Sequence, residues 1–429
     1  MRKSTILILA LAVLLAGSAS AQAENTGQMI FPGTDWIETT PEAQGVDSTK
    51  LNAAISYLES QSGCDGVREM VVIRNGYMIW KGDNVDYMHR TWSIGKVFTS
   101  TVLGLLIDDG ECTLDDLASN YESILSPLYS GVTIRHLATM MSGYDAVGGP
   151  RWENPVPESG DWSPTPYIPD APLFSPGTEY CYWDEAMMVF GRVLTIIADQ
   201  DILYFLKDRI TDHIGMGSWD WDIEGSVNGI PIRLGAGHVW TTARQLARFG
   251  HLFLNHGNWN GTQLISTDWV NQAIQNHVPT DIPVYGNIDG RGVYGYHWWL
   301  NGIRADGTRL FADAPIGTFY RSGWPRQRMF IIPEWNMVIV RIGVDNRKTD
   351  LPADPRACWN TVLKMVGEAV TIENPTCQDV IDNGLLITGD ISGPDGTPDC
   401  YVNLYDIAAL ACNWLYCNNP QDSECNFSY

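Results

Sequence analysis

Two blocks of strand-forming sequence stand far apart in this 429-residue chain, separated by a long stretch of helical periodicity. The first, Met70-Val-Val-Ile-Arg-Asn75-Gly76-Tyr-Met-Ile-Trp80, carries the Asn-Gly pair of a two-residue hairpin turn, whose central residues take positive φ. The second comprises strand signals at Tyr294–Leu300, Thr318–Ser322, Arg328–Ile332 and Met337–Ile342, the last two joined by a Pro333-Glu-Trp-Asn336 turn. Between the blocks, apolar residues recur at helical spacing over 93–108, 132–141, 184–198, 201–212, 241–256 and 266–277. Further helices are expected over Ser48–Ser60 and about 355–369. A Pro-rich loop from Gly148 to Pro176 is too long to be a mere connector. This order predicts an α/β chain of the α+β type: an antiparallel sheet built from both termini, flanked by helices and carrying an inserted helical subdomain. A cleft between sheet and insertion is the natural place for a site.

The ends of the chain differ from its body. Met1-Arg-Lys, an apolar run from Ile6 to Ala16 and the small residues up to Ala23 describe a secretory leader over 1–21, cleaved after Ala21 or Ala23. No later run reaches the roughly 18 apolar residues of a membrane helix, so an exported chain with no transmembrane segment is expected. A net charge of −23 argues against nucleic acid or an anionic membrane as partner. From Thr371 onward there are nine acidic residues and no lysine or arginine, which marks a boundary near 370–376. The body therefore spans 30–370 and a small module 377–429. Of nine cysteines, Cys377, Cys400, Cys412, Cys417 and Cys425 crowd that module. In an exported chain they read as disulfide staples, since the C-x-x-C pairs typical of zinc are missing.

Chemistry enters at Ser93-Ile-Gly-Lys96. Residues three apart share a helix face, so a hydroxyl at the start of a helix and an amine one turn later can touch. Burial lowers the pKa of such a lysine and lets it accept the serine proton. The spacing alone is equally that of a capping serine followed by a snorkelling lysine, so context decides. A second feature, Phe174-Ser-Pro-Gly177-Thr-Glu-Tyr180-Cys-Tyr182-Trp-Asp184, places the Tyr182 phenol on a shaped turn ahead of a helix, able to relay a proton. A third, Tyr320-Arg321-Ser322-Gly323-Trp324-Pro325-Arg326-Gln327, reads as an edge or bulged strand because Pro325 cannot donate to a ladder. Such a strand can offer an N–H to an oxyanion. There is no G-x-S-x-G elbow and no H-E-x-x-H helix. The eight scattered histidines, His89 and His136 among them, read as structural.

Ser93-x-x-Lys96, Gly131-Val-Thr-Ile-Arg-His-Leu-Ala-Thr-Met-Met-Ser-Gly143, Phe174-x-Pro-Gly177, Tyr182-x-Asp184, Ala236-Gly-x-x-x-Thr-Thr-Ala243-Arg-x-Leu-Ala-Arg-Phe-Gly250 and Tyr294-Gly-Tyr-x-Trp-Trp299 occur in that order. Together they resemble the serine β-lactamase-related hydrolases: class C β-lactamases, D-alanyl-D-alanine carboxypeptidases, related esterases and 6-aminohexanoate-dimer hydrolases. The resemblance spans about residues 35–370. It implies a β-lactamase/transpeptidase-like fold, Ser93 as acylated nucleophile, Lys96 as its base and Tyr182 as second proton-transfer group. It also implies an oxyanion hole from the Ser93 N–H and an N–H on the 323–327 strand, at Gln327. Catalysis of this kind uses no cofactor. Two departures stand out: the family's Tyr-x-Asn is here Tyr182-Trp183-Asp184, and its Lys-Thr-Gly or His-x-Gly triplet aligns with Trp324-Pro325-Arg326. A carboxylate beside Lys96 raises the lysine pKa. Either Asp184 points away, or Lys96 stays cationic and Tyr182 is the base. Arg326, Arg321 or Arg328 is the candidate to hold a substrate carboxylate.

The expectation is thus an exported serine hydrolase cleaving an ester or amide through a Ser93 acyl-enzyme. A D-Ala-D-Ala peptidase or β-lactamase is the first alternative, and a catalytically silent binding protein on the same scaffold the second. In the module, Asp395, Thr397, Asp399, Asn403 and Asp406 stand at positions 1, 3, 5, 9 and 12 of a calcium-loop spacing, ahead of a helix-like Ile407–Leu415. Residues 385–416 resemble half of a dockerin-type module, which implies calcium and a docking or anchoring partner.

Overall fold

The computed structural model describes residues 29–63, 65–148, 165–344 and 355–370. The stretch expected to be a leader, Cys64, part of the Pro-rich loop and the acidic segment expected to carry a calcium loop, with its five cysteines, lie outside the described residues. From the N-terminus, β1 (Ile37–Glu38) is followed by α1 (Ser48–Gln61), the hairpin β2 (Met70–Arg74) and β3 (Tyr77–Lys81), and β4 (His89–Arg90). A 3-10 turn, Trp92–Gly95, leads into α2 (Lys96–Asp108). Next come α3 (Ile134–Ala138), α4 (Asp184–Ala198) and α5 (Ile202–Leu206), the last running on as a π turn over Lys207–Thr211. Short strands β5 (Trp219–Trp221), β6 (Ile223–Val227), β7 (Ile230–Arg233) and β8 (Val239–Thr241) precede α6 (Ala243–Leu254). The small hairpin β9 (Asn258–Trp259) and β10 (Thr262–Gln263) leads to α7 (Thr267–Ala273). The chain then returns to the sheet as β11 (Trp299–Leu300), β12 (Phe319–Gly323), β13 (Gln327–Ile332) and β14 (Met337–Arg341), and α8 (Pro355–Ala369) closes the body.

The main sheet runs β1-β3-β2-β14-β13-β12-β11, so both blocks of strand sequence share one sheet. Its ladder is antiparallel except where β1 lies parallel to β3, which makes the sheet mixed. The Asn-Gly turn forms as expected, with Asn75 at φ 51° and Gly76 at φ 83°. Arg321, Met329, Val340 and Val71 are cross-strand partners and so share one face. Helix α6 packs there: a Cβ on Gly250 would touch Val338 and Met329. The opposite face carries Tyr320 and Phe330, with Trp359 of α8 against Phe330. Both faces are thus covered, and strands buried on both sides read as near-continuous apolar runs, as Met70–Ile73 and Met337–Val340 do.

Several expectations are corrected. Ser93 lies in the 3-10 turn, and α2 proper begins at Lys96. The 294–300 strand shrinks to Trp299–Leu300, and the 132–141 helix to one turn ended by Met140 at φ 60°. The three-stranded β4-β8-β5 sheet and the β6-β7 hairpin were not legible, because strands of two to five residues are too short for a periodic signal. Pro325 sits in the β12–β13 turn. Yet β11 pairs only with Phe319 and Tyr320, leaving the Arg321–Gly323 half of β12 as an open edge among the described residues. No helix among the described residues is long and apolar enough to cross a membrane. Cys112, Cys181 and Cys358 are buried.

Candidate active site

Ser93 is presented by a strained turn. Trp92 before it takes φ 51°, a region that costs a bulky residue about 1–3 kcal/mol. Packing over-determines that conformation. The Trp92 ring lies edge-on to His238 at 5.0 Å, and a Cβ on Gly237 would meet Trp92 O at 2.4 Å. Helix α2 is stitched to the same segment: Thr99 Oγ1 donates to Gly235 O (2.9 Å) and Lys96 Nζ to Ala236 O (2.6 Å). In a 3-10 turn residues three apart eclipse, so the serine and lysine still meet. Lys96 Nζ lies 2.8 Å from Ser93 Oγ.

Lys96 is wholly buried, and a third acceptor, Asp184 Oδ1, stands 2.5 Å from its nitrogen. Asp184 is the first residue of α4, where unpaired N–H groups and the helix dipole favour a carboxylate. Burial pulls the Lys96 pKa below its usual value; Asp184 opposes this, and the Arg321 charge adds to it. The sequence left open a carboxylate turned away or a lysine raised in pKa. The structure decides the first point: the carboxylate touches the amine, while burial still holds the Lys96 pKa below its usual value.

Tyr182 completes the group. The loop before it is held by backbone bonds from Gly177 N to Met141 O (2.8 Å) and Cys181 N to Met140 O (2.9 Å). Its hydroxyl is hydrogen-bonded to Ser93, and its ring lies 5.0 Å from Lys96 Nζ and stacks on Trp299. Burial raises its pKa, against the pull of Arg321.

Arg321 is the residue that sequence reasoning misplaced. It is fully buried, and its donors go to Ser93 O (2.7 Å), Tyr182 Oη (2.5 Å), His297 O (2.8 Å) and Tyr294 Oη (3.3 Å). A guanidinium so occupied does not hold a substrate carboxylate; it holds the serine turn and the phenol together. The signal was present in the sequence: strand alternation puts Arg321 on the face of Phe319 and Gly323, and an arginine buried there needs partners. The Ala236 carbonyl carried no such signal.

At the end of β12, Gly323 runs so close to the serine turn that a Cβ would lie 2.1 Å from Thr91 O. The buried Gln327 amide donates to Arg90 O (2.8 Å) and Trp324 O (2.9 Å), tying the hairpin to β4. Trp324 projects from the turn, 63% exposed. Arg326 lines a small cavity with Leu58, Ser62 and Trp359, residues of α1, its C-terminal edge and α8. Arg328 and Ser322 line a cleft of about 210 Å³ with Trp299 and Tyr320. The structure therefore brings Ser93, Lys96, Tyr182 and Asp184 together, sets Gln327 and Trp324 in the adjoining hairpin, and places Arg326 elsewhere. His136 serves a capping box with Thr133, as a structural histidine should.

The Beta-lactamase family matches residues 67–357, and the chain belongs to that family. Solved structures share the fold at low identity. A beta-lactamase/D-alanine carboxypeptidase from Yersinia pestis is 20% identical with a TM-score of 0.56, over 76% of this chain and 98% of the other. A family VIII carboxylesterase is 18% identical at 0.55, over 75% and 97%. EstCE1, a hydrolase with promiscuous acyltransferase activity, is 16% identical at 0.54, over 74% and 99%. Hydrolases of this family include esterases and carboxypeptidases.

Proposed function

We propose that the protein is an exported serine hydrolase that cleaves an ester or amide through an acyl-enzyme on Ser93. The observation that carries this reading is the 2.8 Å contact between Ser93 Oγ and the amine of a wholly buried lysine whose pKa is lowered. Neutral Lys96 accepts the Ser93 proton as Oγ attacks the carbonyl carbon. Charge on the former carbonyl oxygen is met by the N–H of Ser93 and an N–H at Gln327. The Tyr182 hydroxyl gives its proton to the leaving group and recovers one from the Lys96 ammonium, and water then releases the acyl group by the reverse path. Opposite pKa directions support this division of labour: the amine is shifted toward losing its proton, the phenol toward keeping it. The chemistry requires no cofactor.

Asp184 in place of an amide, and Trp324-Pro325-Arg326 in place of the usual triplet, favour an ester or simple amide over a β-lactam or D-Ala-D-Ala peptide. The leader would export the chain, and Asp395, Thr397, Asp399, Asn403 and Asp406 would hold calcium in a docking or anchoring module. The test is mass analysis of the mature protein after a fluorophosphonate probe. One adduct on Ser93, absent from Ser93→Ala, is expected. No adduct on the native chain between pH 6 and 10 would overturn the reading in favour of a silent scaffold.

A further inference from the structure

A second cluster of chemically able side chains lies behind the serine turn. Asp65 and Glu69 belong to the turn between α1 and β2, and His89 to β4, four residues before Ser93. One ligand atom of each lies within 4.8 Å of the others. Glu69 is only 1% exposed, and among the described residues its Oε2 has no hydrogen-bond partner; neither has the buried His89 Nε2. The two side chains do not satisfy each other, since Nε2 and Glu69 Oε1 are 3.8 Å apart. Asn84 Nδ2 donates to Glu69 Oε1 only, and Val344 N donates to Asp65 Oδ2 at 2.6 Å. Backbone closes over the free oxygen: a Cβ on Gly343 would lie 2.8 Å from Glu69 Oε2 and 3.3 Å from Asp65 Oδ2.

Orphaned acceptors this deep are costly, and two carboxylates beside an imidazole lack one thing, a shared positive charge. We infer that Asp65, Glu69 and His89 form a binding site for a divalent first-row cation, Zn²⁺ or Mn²⁺. Mixed carboxylate and imidazole donors suit those ions better than Ca²⁺ or Mg²⁺, which favour oxygen alone. Bonds of roughly 2.1 Å in a tetrahedron set donors roughly 3.4 Å apart, so the ligands close by about 1 Å on binding, with water in the remaining position. The ion is structural. It ties the α1–β2 turn to β4, whose Arg90 carbonyl takes the Gln327 amide and whose next residues carry Trp92 and Ser93.

Co²⁺, which takes zinc's geometry and is coloured, reads the site directly. The full mature chain is stripped with EDTA and titrated with Co²⁺, then with Zn²⁺, with absorbance and melting temperature as readouts. One equivalent should give a visible ligand-field band without a thiolate charge-transfer band, displaced by Zn²⁺, together with a rise in melting temperature. The band should vanish in Glu69→Gln and His89→Gln and weaken in the more exposed Asp65→Asn, which guards against a folding defect. It should persist when Asp395 and Asp399 are both changed to Asn. No band in the native chain, a thiolate band from the cysteine-rich module alone, or a band unchanged in the three ligand variants would each overturn the site.

Discussion

The Arg321 guanidinium donates to the Tyr182 hydroxyl at 2.5 Å and, through Nε, to the Ser93 carbonyl at 2.7 Å. One buried cation from the sheet thereby fixes two groups from the helical region, at sequence separations of 139 and 228 residues. The same charge favours loss of a proton from both Lys96 and Tyr182.

Replacing it should act on position and on proton affinity together. Arg321→Gln removes a charge that lowers the Lys96 pKa, so the acidic limb of kcat/KM should move to higher pH. Acylation at the optimum should fall by on the order of 10²-fold, since the donors that fix Ser93 and Tyr182 are lost. A pH–rate profile with an activated ester checks both, and an unmoved limb would leave Arg321 a packing residue only.

Asp184→Asn should shift the profile the other way. The carboxylate raises the Lys96 pKa against the effect of burial, so its removal lowers that pKa further. More of the lysine is then neutral at a given pH, and the acidic limb moves to lower pH. The rate of Ser93 labelling between pH 5 and 8 measures this. A shift in the same direction as that of Arg321→Gln would contradict the assignment of Lys96 as base.

Gly323 is held by contact rather than by φ. A methyl group there meets Thr91 O at 2.1 Å, a backbone atom that can move only with the serine turn. Gly323→Ala should cost about 1–3 kcal/mol in urea unfolding and slow Ser93 labelling disproportionately.

His251, buried in α6, should limit stability in acid. Burial depresses its pKa from 6.5 to about 4. Its Nε2 shares a hydrogen bond with Ile30 O, and among the described residues no acceptor meets a second proton placed on Nδ1. Between those pKa values the unfolded chain binds more protons than the folded one, so stability falls as pH drops from about 6.5 toward 4. The slope reaches about 1.4 kcal/mol per pH unit. His251→Gln keeps a donor for Ile30 O and cannot titrate, and should flatten that part of the melting-temperature profile.

The meeting of Ser93 with Lys96 was legible because it is local. Whether the turn is α or 3-10, three residues bring the side chains to one side, and only the label changed. The Asn75-Gly76 hairpin and the apolar runs of β2, β13 and β14 were legible for the same reason, since turn chemistry and burial on both faces are written residue by residue. The β4-β8-β5 sheet was hidden because its strands exist only as partners of one another.

By itself the sequence determined the longer helices, the strands of the β2–β3 and β13–β14 hairpins and the order of the chemical groups along the chain. Tertiary structure alone decided that Asp184 touches Lys96, that Ala236 lends its carbonyl, that Arg321 serves the site from within and that Arg326 stands apart from it. Local spacing sets which side chains share a face. Where a buried charge finds its partners depends on which distant backbone and side-chain groups folding brings into a space that water has left.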